Sequence, residues 1–178
     1  GKTLTETAIL ASSASGTFRY FGALLESSDD LLTAQRNYSL TMSVYEPLGL
    51  VSAITPWNSP IASDAQKIAP ALAAGNAVLL KPSSWSPLVS LELAKLIESS
   101  GLPKGLFSVL PGSGEEVGNL LVEHPDISKV TFTGSTKTGR SLAIKAAKKL
   151  MPISLELGGK SPVIVFKDSD GICDVLND

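Results

Sequence analysis

The sequence predicts an α/β fold built around an open, doubly wound parallel sheet, with a helix and a strand in front of it. After Pro47, short apolar runs, turns rich in glycine, proline or serine, and helical stretches follow one another repeatedly, which is typical of βαβ units. Most of these runs are apolar throughout, as expected for strands covered on both faces. With 178 residues, of which 43% are hydrophobic, the chain can bury one sizeable core.

The region 1–46 predicts a helix and a strand that lead into this core. Apolar residues recur at mixed helical spacing over Leu4–Leu32, which predicts one helix with weak points at Gly16 and Gly22. Apolar and polar residues alternate over Tyr38–Glu46, the pattern of a half-buried strand. Because the chain starts inside a helical pattern and ends soon after a strand pattern, we expect both ends to be cut from a longer protein.

The region 47–178 predicts a Rossmann-like domain of alternating strands and helices. The predicted strands are Leu50–Thr55, Ala77–Lys81, Leu106–Leu110, Val130–Phe132, Ile153–Leu157 and Val163–Lys167. The predicted helices are Ala62–Ala74, Pro87–Ser100, Glu115–Glu123 and Thr138–Leu150. Right-handed crossovers between parallel strands give an open sheet, and such sheets bind ligands at the carboxyl ends of their strands. We therefore expect functional residues in the loops that follow the strands.

Composition excludes several classes of function. The 15 basic and 17 acidic residues are mixed along the chain, so neither a nucleic acid nor an anionic membrane surface is an expected partner. The apolar runs are too short to span a bilayer, and Gly1–Leu10 lacks the pattern of a signal peptide. The single cysteine, Cys173, cannot form an intrachain disulfide, which favours a cytoplasmic setting. No metal site is predicted.

Polar and glycine-rich loops follow five of the predicted strands. They are Pro56-Trp57-Asn58, Lys81-Pro82-Ser83-Ser84, Gly112-Ser113-Gly114, Phe132-Thr133-Gly134-Ser135 and Glu156-Leu157-Gly158-Gly159-Lys160. The spacing of Gly112, Gly114 and Gly118 is only a weak match to the nucleotide-binding glycine fingerprint, which has one residue fewer between its last two glycines. These glycines could equally form a tight turn that lets the next helix approach the sheet.

Four stretches, I-x-P-W-N, K-P-S, F-T-G-S and E-L-G-G-K-S-P, occur here in the same order as in aldehyde dehydrogenases, and the chain resembles that superfamily from Glu46 to Phe166 most strongly. The resemblance implies that 47–178 is a dinucleotide-binding domain. It also implies an oxidoreductase that converts a small-molecule aldehyde to a carboxylic acid with NAD or NADP, through a cysteine thiohemiacetal and thioester. Such a protein is expected to be a homo-oligomer.

The resemblance assigns catalytic roles to two residues. Asn58 would donate its amide to the oxyanion of the thiohemiacetal, a role that suits a donor that does not titrate. The alternative is that Asn58 only caps the helix that begins near Ile61. Glu156 would be the general base that activates the nucleophile or the hydrolytic water. The alternative is an edge-strand residue that points into solvent.

The resemblance also predicts a cofactor site along these loops. Lys81 would contact the adenosine ribose, and Ser84 stands where NAD-preferring members often carry a glutamate, so NADP is permitted. The amides of Gly134 and Ser135, with the Ser135 hydroxyl, would bind the pyrophosphate at a helix N-terminus. Trp57 would lie near the nicotinamide unless it only packs. The complete predicted set is Ile54, Thr55, Pro56, Trp57, Lys81, Ser83, Ser84, Gly114, Gly118, Phe132, Gly134, Ser135, Thr138, Leu157 and Gly158.

The nucleophile that this chemistry needs is predicted to lie outside the chain. Cys173 follows Glu156 too closely, lacks the residues that surround the family's nucleophile, and has Asp170 and Asp174 beside it, which disfavour a thiolate. Two rival hypotheses remain open: a stand-alone dinucleotide-binding module, and a reductase of acyl phosphates or acyl-CoA. The presence of Asn58 and Glu156 favours the aldehyde-oxidising enzyme over both.

Overall fold

The first helix is shorter and simpler than the sequence predicts. The computed structural model describes residues 1–162, 164 and 166, and in it helix α1 (Leu4–Glu26) is capped by Thr3, whose side chain accepts a hydrogen bond from the Glu6 amide. The helix runs without a break through Gly16 and Gly22, and no neighbouring group crowds either glycine. It packs against helix α2, described below. The prediction that it reaches Leu32 is wrong, since it ends at Glu26.

The predicted strand Tyr38–Glu46 is also wrong in extent. Only β2 (Met42–Ser43) is a strand, and it pairs antiparallel with β1 (Leu31–Leu32). Tyr38 has a φ of 70° and lies in a turn. The alternating pattern remains, but no layer of the described chain covers its apolar side chains, so Leu40 and Val44 are exposed. An alternating pattern becomes a strand only where a neighbour supplies the missing hydrogen bonds.

The predicted doubly wound sheet is confirmed. Its five strands are parallel, in the order β5-β4-β3-β6-β7. They are β3 (Leu50–Ile54), β4 (Ala77–Lys81), β5 (Phe107–Val109), β6 (Ile127–Thr133) and β7 (Ile153–Glu156). Strands β4 and β5 follow on one side of β3, and β6 and β7 then lie on its other side. The strand order therefore reverses between β3 and β6, and the crevice beyond their carboxyl ends is where such sheets bind ligands.

Helices cover both faces of the sheet, and each face has its own apolar cluster. On one face, α2 (Pro60–Ala73) and α3 (Pro87–Ser99) enclose Ala53, Ile68, Val78, Leu80 and Leu93. On the other face, α4 (Asn119–Glu123) and α5 (Thr136–Lys148) pack against β6. The two layers explain why the central strands are apolar throughout.

Helix α3 begins at Pro87 as predicted, whereas α2 begins at Pro60, two residues before its predicted start. The fixed φ and missing N–H of proline suit a first helical position. The predicted helix Glu115–Glu123 is instead one π-helical turn, Gly114–Gly118, followed by α4. Most of the predicted strand Val163–Lys167, and all of Cys173, lie outside the described residues. Within the described part of the chain, no helix combines the length and hydropathy needed to cross a bilayer.

Candidate functional site

The strand register aligns the loops that carry the predicted site residues. Ile54 is level with Lys81 on one side and with Phe132 on the other, and Glu156 is level with Thr133. The Thr55 amide donates to the Lys81 carbonyl at 3.1 Å, and the Gly134 amide donates to the Glu156 carbonyl at 3.0 Å. The loops after β3, β4, β6 and β7 therefore line one edge of the sheet, at the switch point.

Lys81 is a buried cation at this edge. Its side chain is 3% exposed, and its Nζ donates to the Pro82 carbonyl at 2.9 Å. Burial lowers the pKa of Lys81. Within residues 1–162, 164 and 166 no carboxylate pairs with it. A buried ammonium group that is neutralised by no acidic side chain is suited to an anionic or hydroxyl-rich ligand.

Ser83 and Ser84 use their hydroxyls to shape the loop after β4. The Ser83 Oγ accepts a hydrogen bond from the Trp85 amide at 3.3 Å. The Ser84 Oγ donates to the Gly112 carbonyl at 2.9 Å, so it connects this loop to the loop after β5. Ser84 is exposed, and its small side chain leaves space that a larger side chain would fill.

The glycine-rich loop after β5 combines a tight turn with open space. Gly112 has a φ of 155°, and a Cβ atom there would lie 2.4 Å from the Val117 Cγ2, so the turn itself requires glycine. At Gly114 a Cβ would meet nothing within 4 Å, and at Gly118 it would lie 3.9 Å from the Lys81 Cδ. The tight-turn interpretation is therefore correct for Gly112, while nothing crowds Gly114, and Gly118 lies beside the Lys81 side chain.

The start of α5 differs in detail from the predicted pyrophosphate site. The Ser135 Oγ accepts from the Thr138 amide at 3.2 Å and donates to the Thr138 Oγ1 at 2.9 Å, so this hydroxyl caps the helix. The Gly134 amide already pairs with Glu156. Among the described contacts, the amides of Thr136 and Lys137 make no hydrogen bond. First-turn amides and the positive end of the helix dipole suit an anionic ligand.

Gly134 is required by close packing. A Cβ atom at this position would lie 2.5 Å from the Cζ of Phe132, whose ring is buried in the core on the α4–α5 face. We expect Gly134→Ala to destabilise the protein by about 1–3 kcal/mol, because the aromatic ring has no space in which to withdraw. Thermal unfolding of the purified protein measures this change.

The control for Gly134→Ala is Gly16→Ala, since Gly16 lies in α1 with nothing within 4 Å of the added atom. This control is expected to stabilise the protein by about 0.5–1 kcal/mol, because alanine loses less backbone entropy in a helix. Equal unfolding temperatures for the two variants would contradict the packing argument.

The segment Pro56-Trp57-Asn58 presents two exposed side chains after a buried strand end. Ile54 and Thr55 are buried, Pro56 is half-buried, and Trp57 is 65% exposed, so Trp57 is not a core packing residue of this chain. Ser59, not Asn58, is the N-cap of α2, and it makes no side-chain capping bond. The capping alternative for Asn58 is therefore wrong. Asn58 and Trp57 line an open cavity of about 580 Å³ with Trp85 and the start of α1.

Glu156 ends the edge strand β7 with its side chain exposed. Along β7, Ile153 and Leu155 are half-buried whereas Ser154 and Glu156 are exposed, so the alternation agrees with the solvent-facing alternative. Leu157 and Gly158 follow it and are exposed, with Leu157 packed close to Gly139 of α5. An exposed carboxylate beside the switch point can still take a proton from a bound water or substrate.

The sequence interpretation missed Lys67, a lysine whose pKa is affected by the charge of Glu156. Lys67 lies on α2 and its Nζ donates to the Thr131 Oγ1 at 3.0 Å. Burial lowers the pKa of Lys67, and the charge of Glu156 opposes that change. The available signal was a lysine set among the buried residues Ala65, Ile68 and Ala69 of α2. Helix α2 thus follows directly after Asn58 and carries a buried lysine.

No group of three or more histidine, cysteine, aspartate or glutamate residues is arranged to hold a metal ion in the part of the chain that the structure describes. The site is therefore built from a buried lysine, helix and loop amides, an exposed amide side chain and an exposed carboxylate.

Comparison with known proteins decides the family. The family model described as "Aldehyde dehydrogenase family" matches residues 1–175. The chain belongs to the aldehyde dehydrogenase family. Among curated relatives of this aldehyde dehydrogenase chain, an aminoaldehyde dehydrogenase of Malus domestica is 46% identical over 96% of the chain and 35% of its own length. A 3,6-anhydro-alpha-L-galactose dehydrogenase of Streptomyces coelicolor is 54% identical over 70% of the chain and 25% of its own length.

Solved aldehyde dehydrogenase structures share the fold. A betaine aldehyde dehydrogenase from Staphylococcus aureus in complex with NAD+ is 38% identical, with a TM-score of 0.88 over 96% of this chain and 34% of that one. An aldehyde dehydrogenase from Pseudomonas aeruginosa is 41% identical, with a TM-score of 0.82 over 85% of this chain and 31% of that one. The chain thus spans about a third or less of the length of these relatives.

Proposed function

We propose that this chain is the dinucleotide-binding part of an enzyme that oxidises an aldehyde to a carboxylic acid with NAD or NADP, and that the cysteine nucleophile lies outside its 178 residues. The reaction would proceed through a thiohemiacetal and a thioester. The observation that carries the proposal is the position of buried Lys81, the α5 N-terminus, Asn58 and Glu156 along one edge of the sheet. The residues 47–178 would form the dinucleotide-binding domain, with 1–46 leading into it.

The residues along this edge fit a dinucleotide. Lys81 supplies a buried positive charge, the space at Gly114 is open, and the first-turn amides of α5 point out of a helix N-terminus. When bound, the nicotinamide supplies a hydride acceptor. Exposed Trp57 offers an aromatic surface beside Asn58. Support from relatives comes from the Staphylococcus aureus and Bacillus cereus aldehyde dehydrogenase structures, whose descriptions name bound NAD+.

The two proposed catalytic residues have different tasks. The Asn58 amide would donate a hydrogen bond to the substrate oxygen as negative charge develops on it. The Glu156 carboxylate would take a proton from the nucleophile or from the hydrolytic water. Asn58 would thus act on the substrate oxygen, and Glu156 on the proton of the nucleophile or of the hydrolytic water.

The remaining hypotheses account for fewer of these features. A binding module without turnover uses Lys81 and α5 but has no need of an oxyanion donor or a base. A reductase of acyl phosphates or acyl-CoA needs no base for hydrolysis, so it leaves Glu156 without a task. Assays for aldehyde oxidation and for dinucleotide binding on the full-length protein separate the three. Binding without oxidation of any aldehyde tested would favour the module.

We also propose a homo-oligomeric enzyme in the cytoplasm. Support for association comes from the exposed apolar side chains around β1 and β2, including Leu31, Leu32 and Met42, because exposed apolar patches of this kind mark interaction surfaces. Support for the compartment comes from the single cysteine, although the Malus domestica relative is described as peroxisomal. Light scattering of the full-length protein and imaging of its tagged form test the two statements.

Ser84 is the proposed determinant of cofactor choice. We expect the full-length enzyme to accept NADP, because an exposed serine near Lys81 leaves space and hydrogen-bonding capacity for a 2′-phosphate. Ser84→Glu is expected to lower kcat/KM for NADP on the order of tenfold to a hundredfold while activity with NAD is retained. The reason is that the glutamate carboxylate would repel the 2′-phosphate of NADP. Steady-state kinetics with each cofactor measures the ratio.

The matched control is Ser84→Gln, which removes the same bond to Gly112 and adds a side chain of nearly the same size without charge. Its cofactor ratio should lie close to that of the wild type. A strong wild-type preference for NAD, or the same shift in both variants, would contradict the charge-based explanation.

A further inference from the structure

A buried polar pair joins the two helices that follow the proposed cofactor loops. Asp64 of α2 and Ser90 of α3 are both 0% exposed, and the Ser90 Oγ donates to the Asp64 Oδ2 at 2.6 Å. The second carboxylate oxygen, Oδ1, is buried without a hydrogen-bond partner among the described residues. Within that same part of the chain, this is the side-chain hydrogen bond that connects α2 to α3.

Each residue of the pair lies on a helix that directly follows a loop of the proposed site. Helix α2 begins at Pro60, directly after the loop with Trp57 and Asn58, and Asp64 is in its second turn. Helix α3 begins at Pro87, directly after the loop with Ser83 and Ser84, and Ser90 is in its first turn. A helix moves as a rigid body, so any shift of one helix along the other displaces the loop in front of it.

The starts of α2 and α3 lack side-chain caps, although α1 packs against α2. Ser59 and Ser86, the N-cap residues of α2 and α3, make no side-chain capping bond. The strand ends beneath them are joined by the backbone bond from Thr55 to Lys81. The spacing of the loops above the strands depends in part on how α2 packs on α3, where apolar side chains alone would permit sliding and a short hydrogen bond defines one register.

The chemistry of the pair agrees with a geometric task. Burial raises the pKa of Asp64, and the Ser90 hydroxyl offsets this only in part. A buried carboxyl group with one unsatisfied oxygen costs stability, and an apolar side chain of similar size would not carry this cost. A geometric task accounts for a polar pair at this buried position.

We propose that Asp64 and Ser90 are positioning residues that hold the Asn58 loop and the Ser84 loop at the spacing the dinucleotide needs. This inference rests on the proposed function. Neither residue touches the cofactor; each acts through the helix on which it lies.

The test uses the full-length enzyme with Asp64→Ala, Ser90→Ala, the double variant, and the conservative Asp64→Asn. Each alanine variant is expected to raise the KM and the Kd for the dinucleotide about tenfold, because the loop spacing is relaxed. The double variant should be no worse than either single one, since both remove the same bond. Asp64→Asn keeps an acceptor for Ser90 and should restore wild-type binding. The fluorescence of exposed Trp57 and Trp85 gives the Kd directly.

Asn76→Ala is the matched control. Asn76 is buried, and its side chain bonds to Gly49 and Ala71 at the opposite edge of the sheet, away from the loops. It should lower the unfolding temperature without changing the KM for the dinucleotide. If Asp64→Ala does not fold, Ser90→Ala, which removes only one oxygen atom, decides the outcome by the same increase in KM.

The outcomes separate the two proposals. If the wild-type enzyme binds dinucleotide and oxidises aldehydes, but Asp64→Ala and Ser90→Ala change only the unfolding temperature, as Asn76→Ala does, the positioning role is overturned and the proposed function stands. If the wild-type protein binds no dinucleotide, both are overturned.

Discussion

Glu156→Gln in the full-length enzyme is expected to lower the rate of acid formation by a factor of about 10²–10⁴, the usual contribution of a positioned general base. Glutamine matches the shape of glutamate but its amide cannot accept a proton. The side chain is exposed at the end of β7, so the substitution leaves the core unchanged and the unfolding temperature should not fall. Steady-state formation of reduced dinucleotide measures the loss.

The distribution of the loss between steps is informative. If Glu156 activates the hydrolytic water, the variant should accumulate the thioester and show a burst of reduced dinucleotide before a slow steady state. Glu123→Gln is the control, because Glu123 is an exposed carboxylate on α4 that pairs with Lys145 at 2.6 Å. An acid-forming rate in Glu156→Gln equal to that of Glu123→Gln would show that Glu156 is not the general base.

Asn58→Ala is expected to lower kcat by a factor of about 10²–10³, the usual cost of removing one oxyanion donor. The amide is exposed beside Trp57 at the mouth of an open cavity, where a substrate oxygen can reach it. Because Ser59 is the N-cap of α2, the loss of Asn58 should leave helix stability unchanged. Single-turnover kinetics locates the effect in the chemical step, since the donor acts most strongly on the transition state.

Ser59→Ala is the control for this prediction, because Ser59 is adjacent to Asn58 and makes no side-chain capping bond. Its kcat should equal that of the wild type. A fall in unfolding temperature for Asn58→Ala, with kcat unchanged, would assign Asn58 a structural role instead of a catalytic one.

The parts of the fold that sequence predicted well are those with a local physical cause. A strand covered on both faces is apolar at every position, so β3 and β4 are visible as runs and their bounds agree with prediction to within one residue. The proline at the start of α3 and a glycine after each of α2 and α3 mark boundaries through the backbone geometry of single residues.

The prediction failed where a pattern needs a neighbouring strand that the local sequence does not specify. The alternation over Tyr38–Glu46 is real, but only two residues find a neighbouring strand. The Ser135 hydroxyl caps α5, and its contact with a ligand stays a prediction. An alternating pattern alone does not specify the neighbouring strand, which tertiary contacts supply.

The sequence by itself determined the order of strands and helices, the edge of the sheet that carries the polar loops, and the candidate residues Asn58, Lys81 and Glu156, because burial periodicity and loop position are local properties. Only the tertiary structure decided that β6 lies beside β3, that Lys67 reaches Thr131, and that Asp64 meets Ser90. Lys67 and Thr131 are 64 positions apart in the chain, and Asp64 and Ser90 are 26 positions apart. Which buried polar groups meet is set by the packing of whole helices on the sheet, and no short stretch of sequence contains that information.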